Sequence, residues 1–174
     1  MNRARSEIHC EEAYSMGITG RGIGVAVLDT GIYLHRDLKD RVKGFADFVR
    51  RRDRPYDDNG HGTHIAAMIG GNGECSEGNY RGVAPGCSII AVKVLDHRGN
   101  GYASDVLMGL RWIRAHRDCL GIRIVNISGS VPSPLIHSIQ HECNEVTRKE
   151  KIIRQWIVRE DVVFLFTNLA AYKR

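Results

Sequence analysis

Two short stretches hold residues whose types and settings could do chemistry together. The first is Asp29 in Val25-Ala26-Val27-Leu28-Asp29-Thr30-Gly31, a carboxylate at the exit of an apolar run. Ligands of open α/β sheets gather at the carboxyl ends of strands, so a carboxylate here stands at the mouth of the sheet. The second is His61 in Asn59-Gly60-His61-Gly62-Thr63-His64, ahead of a short apolar segment. An imidazole in a first helical turn can serve as a base, and Gly62 leaves room for a substrate backbone or a neighbouring element. Taken alone, each motif has other readings. An apolar strand ending in D-T-G also begins an aspartic-protease lobe, where two such carboxylates share a proton. No second D-[ST]-G occurs, so that route needs a dimer. A zinc reading of His61 and His64 lacks the H-E-x-x-H spacing and its Glu. His64 is expected to be a packed, hydrogen-bonded histidine.

The elements that must position these residues are legible as apolar runs alternating with helix-period segments. Ile23–Leu28, Ser88–Leu95, Ile122–Ile127 and Val162–Thr167 read as strands, and continuous apolar runs suit a sheet covered on both faces. A helix is expected over Ile65–Ile69. Another begins near Ser104, as cap, with Val106, Leu107, Leu110 and Ile113 on one stripe and Arg114, His116 and Arg117 in its last turn. A third is expected between Glu145 and Val158, carrying Val146, Ile152, Ile153, Trp156 and Ile157. Asp53–Gly60 and Gly70–Gly82 read as surface loops. The β-α-β-α-β order predicts an α/β fold, three layers with a parallel sheet flanked by helices and right-handed crossovers.

With both motifs placed, the chain resembles the subtilisin (subtilase) family of serine proteases. Residues 26–32 and 59–66 resemble the family's Asp and His motifs. Tyr80-Arg81-Gly82-Val83-Ala84-Pro85-Gly86, Ala91-Val92-Lys93-Val94-Leu95, Gly99-Asn100-Gly101 and Val125-Asn126-Ile127-Ser128 follow in the family's order. The likeness is strong over 14–128 and weak over 129–174, which makes 1–174 one partial catalytic domain, incomplete at its C-terminal side. The resemblance implies an Asp-His-Ser triad in which Asp29 orients His61 and His61 takes the proton of a nucleophilic serine. It implies Asn168 as an oxyanion donor, although Phe164 and Phe166 depart from the small residues usual there. It implies a peptide or protein substrate laid between two edges, Gly99-Asn100-Gly101 and Ser128-Gly129-Ser130; Gly129 and Ser130 depart from the usual S-[LV]-G. Asp37 matches a position that ligates structural calcium in some relatives, but the loop 71–81 differs from the usual ligand loop, so no metal ligand is assigned. The chemistry itself needs no cofactor.

The nucleophile motif G-T-S-M-[AS] does not occur in these 174 residues, and none of their serines lies in such a setting. The sequence reading is therefore a serine endopeptidase domain met without its Ser, expected to be inactive by itself. A truncated or frameshifted reading frame would explain both the missing motif and the drift after Gly129. A pseudoprotease or peptide-binding module without catalysis is the alternative.

Composition sets the remaining bounds. Hydrophobic residues make up 43% and charged residues 26% of the chain, an ordinary globular balance. The formal charge is +5, and the run Arg50-Arg51-Arg52-Asp53-Arg54 reads as a solvated loop rather than a nucleic-acid site, since no aromatic residue interleaves. Five cysteines, an odd count with no C-x-x-C, read as reduced thiols. No stretch approaches a membrane span, and no signal-peptide pattern opens the chain, so a cytoplasmic location is expected unless the start is trimmed.

Overall fold

The computed structural model describes residues 2–128, 138, 141, 142, 156–159 and 162–167, with residues 2–4 and the last two stretches described by backbone alone. Its core is β1 (Gly24–Asp29), whose six residues are all buried. Strands alternate their side chains between faces, and β1 feeds two cores at once. Ala26 and Leu28 join Ile90, Val92, Val125 and Ile127 on one face, beneath Val106, Leu110 and Ile113 of α4 (Ala103–His116). Val25 and Val27 join Ile89 and Ala91 on the other, beneath Ala66, Ile65 and Ile69 of α3 (His61–Gly70). Each such Val, Leu or Ile contributes about 1.5–3 kcal/mol on burial. This double coverage is why β1 reads as an unbroken apolar run.

The sheet has the order β2-β3-β1-β4-β6-β5. β3 (Ser88–Lys93) and β4 (Ile122–Ser128) flank β1 in parallel, and β6 (Val162–Thr167) pairs in parallel with β4. The three-layer parallel arrangement thus agrees with the sequence reading, with two additions at its edges. β2 (Val42–Asp47) was not expected, because Lys43 and Gly44 interrupt an apolar pattern; it is a half-buried edge strand whose register shifts between Val42 and Gly44. β5 (Trp156–Arg159) pairs antiparallel with β6. That corrects the helix expected over 145–158: Trp156, Ile157 and Val158 lie in a strand, and the rest of that segment falls outside the described residues.

The expected Ser104 cap is also corrected. Tyr102 occupies the N-cap position of α4, and Ser104 Oγ donates to Asp105 instead. At the other end His116 stacks on Trp112, with Nδ1 2.8 Å from the Trp112 carbonyl. Two short N-terminal helices, α1 (Asn2–Glu7) and α2 (Cys10–Ser15), pack beside the 78–83 loop. Arg5 donates to the carbonyls of Gly78 and Arg81, and the Tyr14 hydroxyl lies 2.8 and 2.9 Å from those of Gly82 and Val83. Among the described residues no helix is long and apolar enough to cross a membrane, and Cys10, Cys75, Cys87 and Cys119 are free thiols.

Candidate active site

The site grows from the carboxyl end of β1. Asp29 pairs in register with Lys93 of β3, and its carbonyl accepts the Val94 and Leu95 amides at 2.9 and 3.2 Å. Its carboxylate is 0% exposed. Oδ1 accepts the Thr30 amide at 2.7 Å, and His61 Nδ1 lies 2.8 Å from Oδ1 and 2.9 Å from Oδ2. Burial pushes the Asp29 carboxyl above the ordinary carboxylate range, against the hydrogen bonds from His61 and Thr30. With both oxygens turned to one imidazole, Asp29 is not free to share a proton with a second carboxylate, and the aspartic-dyad reading of D-T-G falls away.

His61 opens α3, and the approach of that helix to the β1 exit is set by two glycines. A Cβ on Gly62 would lie 2.3 Å from the Gly31 carbonyl oxygen and 3.2 Å from Asp29 Cβ. Gly31 has φ +119° and itself lies against the Tyr56 carbonyl. Neither contact admits a side chain, so the room expected at Gly62 is taken by a neighbouring element, the turn after β1.

Asp57 holds the first turn of α3 in place. Its Oδ1 accepts the amides of Asn59 and Gly60 at 3.1 and 2.8 Å and the Thr30 hydroxyl at 2.9 Å. Its Oδ2 accepts the Thr63 amide at 2.9 Å and the Thr63 hydroxyl. Thr30 Oγ1 in turn accepts the Gly62 amide at 2.9 Å. A side chain from outside the helix thus caps donors that the helix cannot satisfy itself. Burial alone would raise the Asp57 carboxyl; the hydrogen bonds from Thr63, Gly60 and Asn59 outweigh it and hold the group below the ordinary range.

Beneath the turn sits Lys93, 0% exposed within an apolar strand. Its Nζ donates to the carbonyls of Thr30 and Leu95 and to Asp58 Oδ1, which uses all three ammonium protons, and lies 5.0 Å from the Tyr56 ring centroid. The Tyr56 hydroxyl donates to Asp47 Oδ2 at 2.9 Å, and Asp47 also accepts the amides of Val49, Arg50 and Arg52. Asp57 and Lys93 were missed as site residues. A paired Asp57-Asp58 before H-G-T-H and a lysine amid Ile89–Leu95 were the available signals.

The other expected site residues are placed less closely. Gly99-Asn100-Gly101 forms an exposed turn, with Gly99 at φ +78° and the Asn100 amide 2.9 Å from Asp96 Oδ1. Ser128 ends β4 beside β1, its Oγ accepting Asn126 Nδ2 at 2.8 Å. Gly129, Ser130 and Asn168 lie outside the described residues. His64 is exposed on α3 rather than packed, because it points from the helix face opposite the core residues Ala66 and Ile69 towards a surface cleft. Asp37 lies in that same cleft, with His35 and Cys75.

Comparison with known proteins places this geometry. The model of the subtilase family matches residues 20–161. The serine protease AprX of Bacillus subtilis is 46% identical over 114 residues, 64% of this chain and 26% of that protein. Subtilisin Savinase of Lederbergia lenta is 36% identical over 148 residues, 85% of this chain and 52% of that protein. Among solved structures, Sphericase superposes with a TM-score of 0.61 at 31% identity, covering 74% of this chain and 44% of that one. A cold-adapted subtilisin-like serine proteinase gives 0.59 at 30% identity, covering 72% and 44%. The chain thus spans from about a quarter to about half the length of these relatives.

Proposed function

Because the chain belongs to the subtilase family, we propose that Asp29 and His61 are two members of a serine endopeptidase triad that acts on peptide or protein substrates. One observation carries the reading: His61 Nδ1 sits within hydrogen-bonding distance of both oxygens of a buried carboxylate. That contact fixes the tautomer. With the Nδ1 proton directed to Asp29, the Nε2 lone pair is left to accept the proton of a serine hydroxyl as it attacks a carbonyl. The imidazolium so formed faces the Asp29 carboxylate, and Nε2 then returns the proton to the leaving amine. His61 is 49% exposed, which leaves that nitrogen within reach of an incoming chain. The G-T-S-M-[AS] nucleophile motif does not occur in these 174 residues, so this stretch supplies base and orienting carboxylate.

The test joins this stretch to a nucleophile. Residues 20–128 replace the matching segment of the Bacillus subtilis relative, and peptide hydrolysis is measured on the folded chimaera. Turnover is expected, and Asp29→Asn should lower kcat by about ten-thousandfold, the scale seen when a triad histidine loses its correct tautomer. A folded chimaera whose turnover ignores Asp29→Asn overturns the proposal. The 174-residue chain alone should resist a fluorophosphonate probe; stoichiometric serine labelling would contradict the assignment of the nucleophile elsewhere. A folded, inactive chimaera that still binds peptides favours the peptide-binding module.

A further inference from the structure

We propose that His35, Asp37 and Cys75 form a binding site for a divalent transition-metal ion of the zinc type, tying the 71–82 loop to the segment that follows β1. The three side chains bring one ligand atom each, and these atoms lie within 4.8 Å of one another. Bonds of about 2.0–2.3 Å in a tetrahedral site put ligand atoms roughly 3.5 Å apart, so closing around an ion needs only small side-chain movements. His35 and Cys75 are exposed, and His35 Nδ1 gives up the Asp37 amide that it accepts at 3.2 Å when it takes the ion.

The approach is built into the backbone. The Cys75 amide donates to Asp37 Oδ1 at 2.9 Å, and the Asn72 amide donates to the Asp37 carbonyl at 3.0 Å. A 3-10 turn over Glu74–Ser76 then presents the thiol to the carboxylate. The far end of the loop is held separately, by Gly82 N on Gly71 O and by Arg5 and Tyr14. Loop and ligand segment are thus already in contact, and a metal would convert that contact into a clamp.

Donor chemistry selects the ion. Imidazole, thiolate and a single carboxylate suit zinc; calcium asks for six to eight oxygens, and magnesium for oxygen donors and waters. The same three residues line a surface cleft of about 480 Å³, together with Thr63, His64 and Tyr80. That opening leaves room for water or a further donor at the fourth position. Metal binding breaks the S–H bond, forms the S–metal bond and releases the proton to solvent. The cleft wall includes Gly60, Thr63 and His64, so the clamp also braces the helix that carries His61.

The experiment titrates the untagged 174-residue chain with Co²⁺ under reducing, anaerobic conditions. One equivalent should give a thiolate-to-cobalt charge-transfer band with tetrahedral d–d bands. Zn²⁺ should abolish both, and excess Ca²⁺ should leave them unchanged. Cys75→Ser should remove the charge-transfer band while far-ultraviolet circular dichroism stays the same. His35→Gln should weaken binding roughly tenfold or more, the size of effect expected for losing a ligand or its support. No band at stoichiometric cobalt, a band that survives Cys75→Ser, or displacement by Ca²⁺ each overturns the assignment.

Discussion

Replacing Asp57 by Asn isolates the charge that holds the first turn of the helix carrying His61. The parent carboxylate accepts five hydrogen bonds, three through Oδ1 and two through Oδ2. An Asn oriented to keep the Oδ1 contacts places an NH₂ where Oδ2 was. The Thr63 amide then faces a donor, while the Thr63 hydroxyl can rotate to accept. Hydrogen bonds to charged groups are worth about 1.5–3 kcal/mol, and Asp57 is only half-buried, so the lower end applies. One such bond lost outright and the rest weakened give an expected destabilisation of about 2 kcal/mol, near a thirtyfold shift in the folding equilibrium. The effect has a pH signature. The folded-state value of Asp57 lies below the unfolded one, so its stabilisation is present above the ordinary carboxylate value near pH ~4 and fades as pH falls through the depressed value. A protonated Asp57 resembles Asn, and the two proteins should converge in acid. Urea unfolding followed by circular dichroism at neutral pH and at successive acid steps measures both. A difference under about 0.5 kcal/mol at neutral pH, within ordinary surface scatter, or one that persists unchanged in acid, refutes the role given to Asp57.

Gly62→Ala should force α3 away from the β1 turn, costing about 1–3 kcal/mol by overpacking; in the chimaera it should lower turnover by roughly a hundredfold through displacement of His61, read by thermal melting and peptide hydrolysis. Lys93→Met should cost about 2–4 kcal/mol in urea unfolding, because the Thr30 and Leu95 carbonyls lose their donor while Asp58 can turn to solvent. Burial pushes the Cys87 thiol up to about 11, so in the folded chain a thiol reagent near pH 8 should label Cys119 and spare Cys87 until denaturant is added, as peptide mapping would reveal.

The parts of the fold legible in the sequence were those with one dominant environment. β1 and β3 are buried on both faces and read as apolar runs; α4 has one apolar stripe and reads as a helix. β2 stands at an edge, where Lys43 and Gly44 are tolerated, and no run survives to mark it. Trp156, Ile157 and Val158 suit either a buried helix or a strand on local pattern, and pairing with β6 decides for the strand, a partner that periodicity does not see. The site divides the same way. Asp29 and His61 sit in motifs whose residue order is their signature. Asp57 acts through loop geometry, Lys93 through acceptors drawn from three segments, and Cys75 through a loop that returns to Asp37 from 38 residues away.

What is notable about the His61 pair is how local its support is. Every group found to hold it comes from the β1 exit, the loop before α3, the first turn of that helix, or the end of β3, all between Asp29 and Leu95. Gly31 and Gly62 set the distance between strand and helix, Thr30 bridges Asp57 to the Gly62 amide, and Lys93 pins the Thr30 carbonyl from below. Asp29 is therefore restrained on its backbone, through Val94 and Leu95, as well as on its carboxylate. A pair held this way is set by contacts of the chain itself. Its geometry depends on β1, β3 and α3 packing together, and those elements share the core that includes Val27, Ala66, Ile89 and Ala91. The same core that makes the sheet stable thus holds His61 against Asp29, and weakening it should disturb that pair.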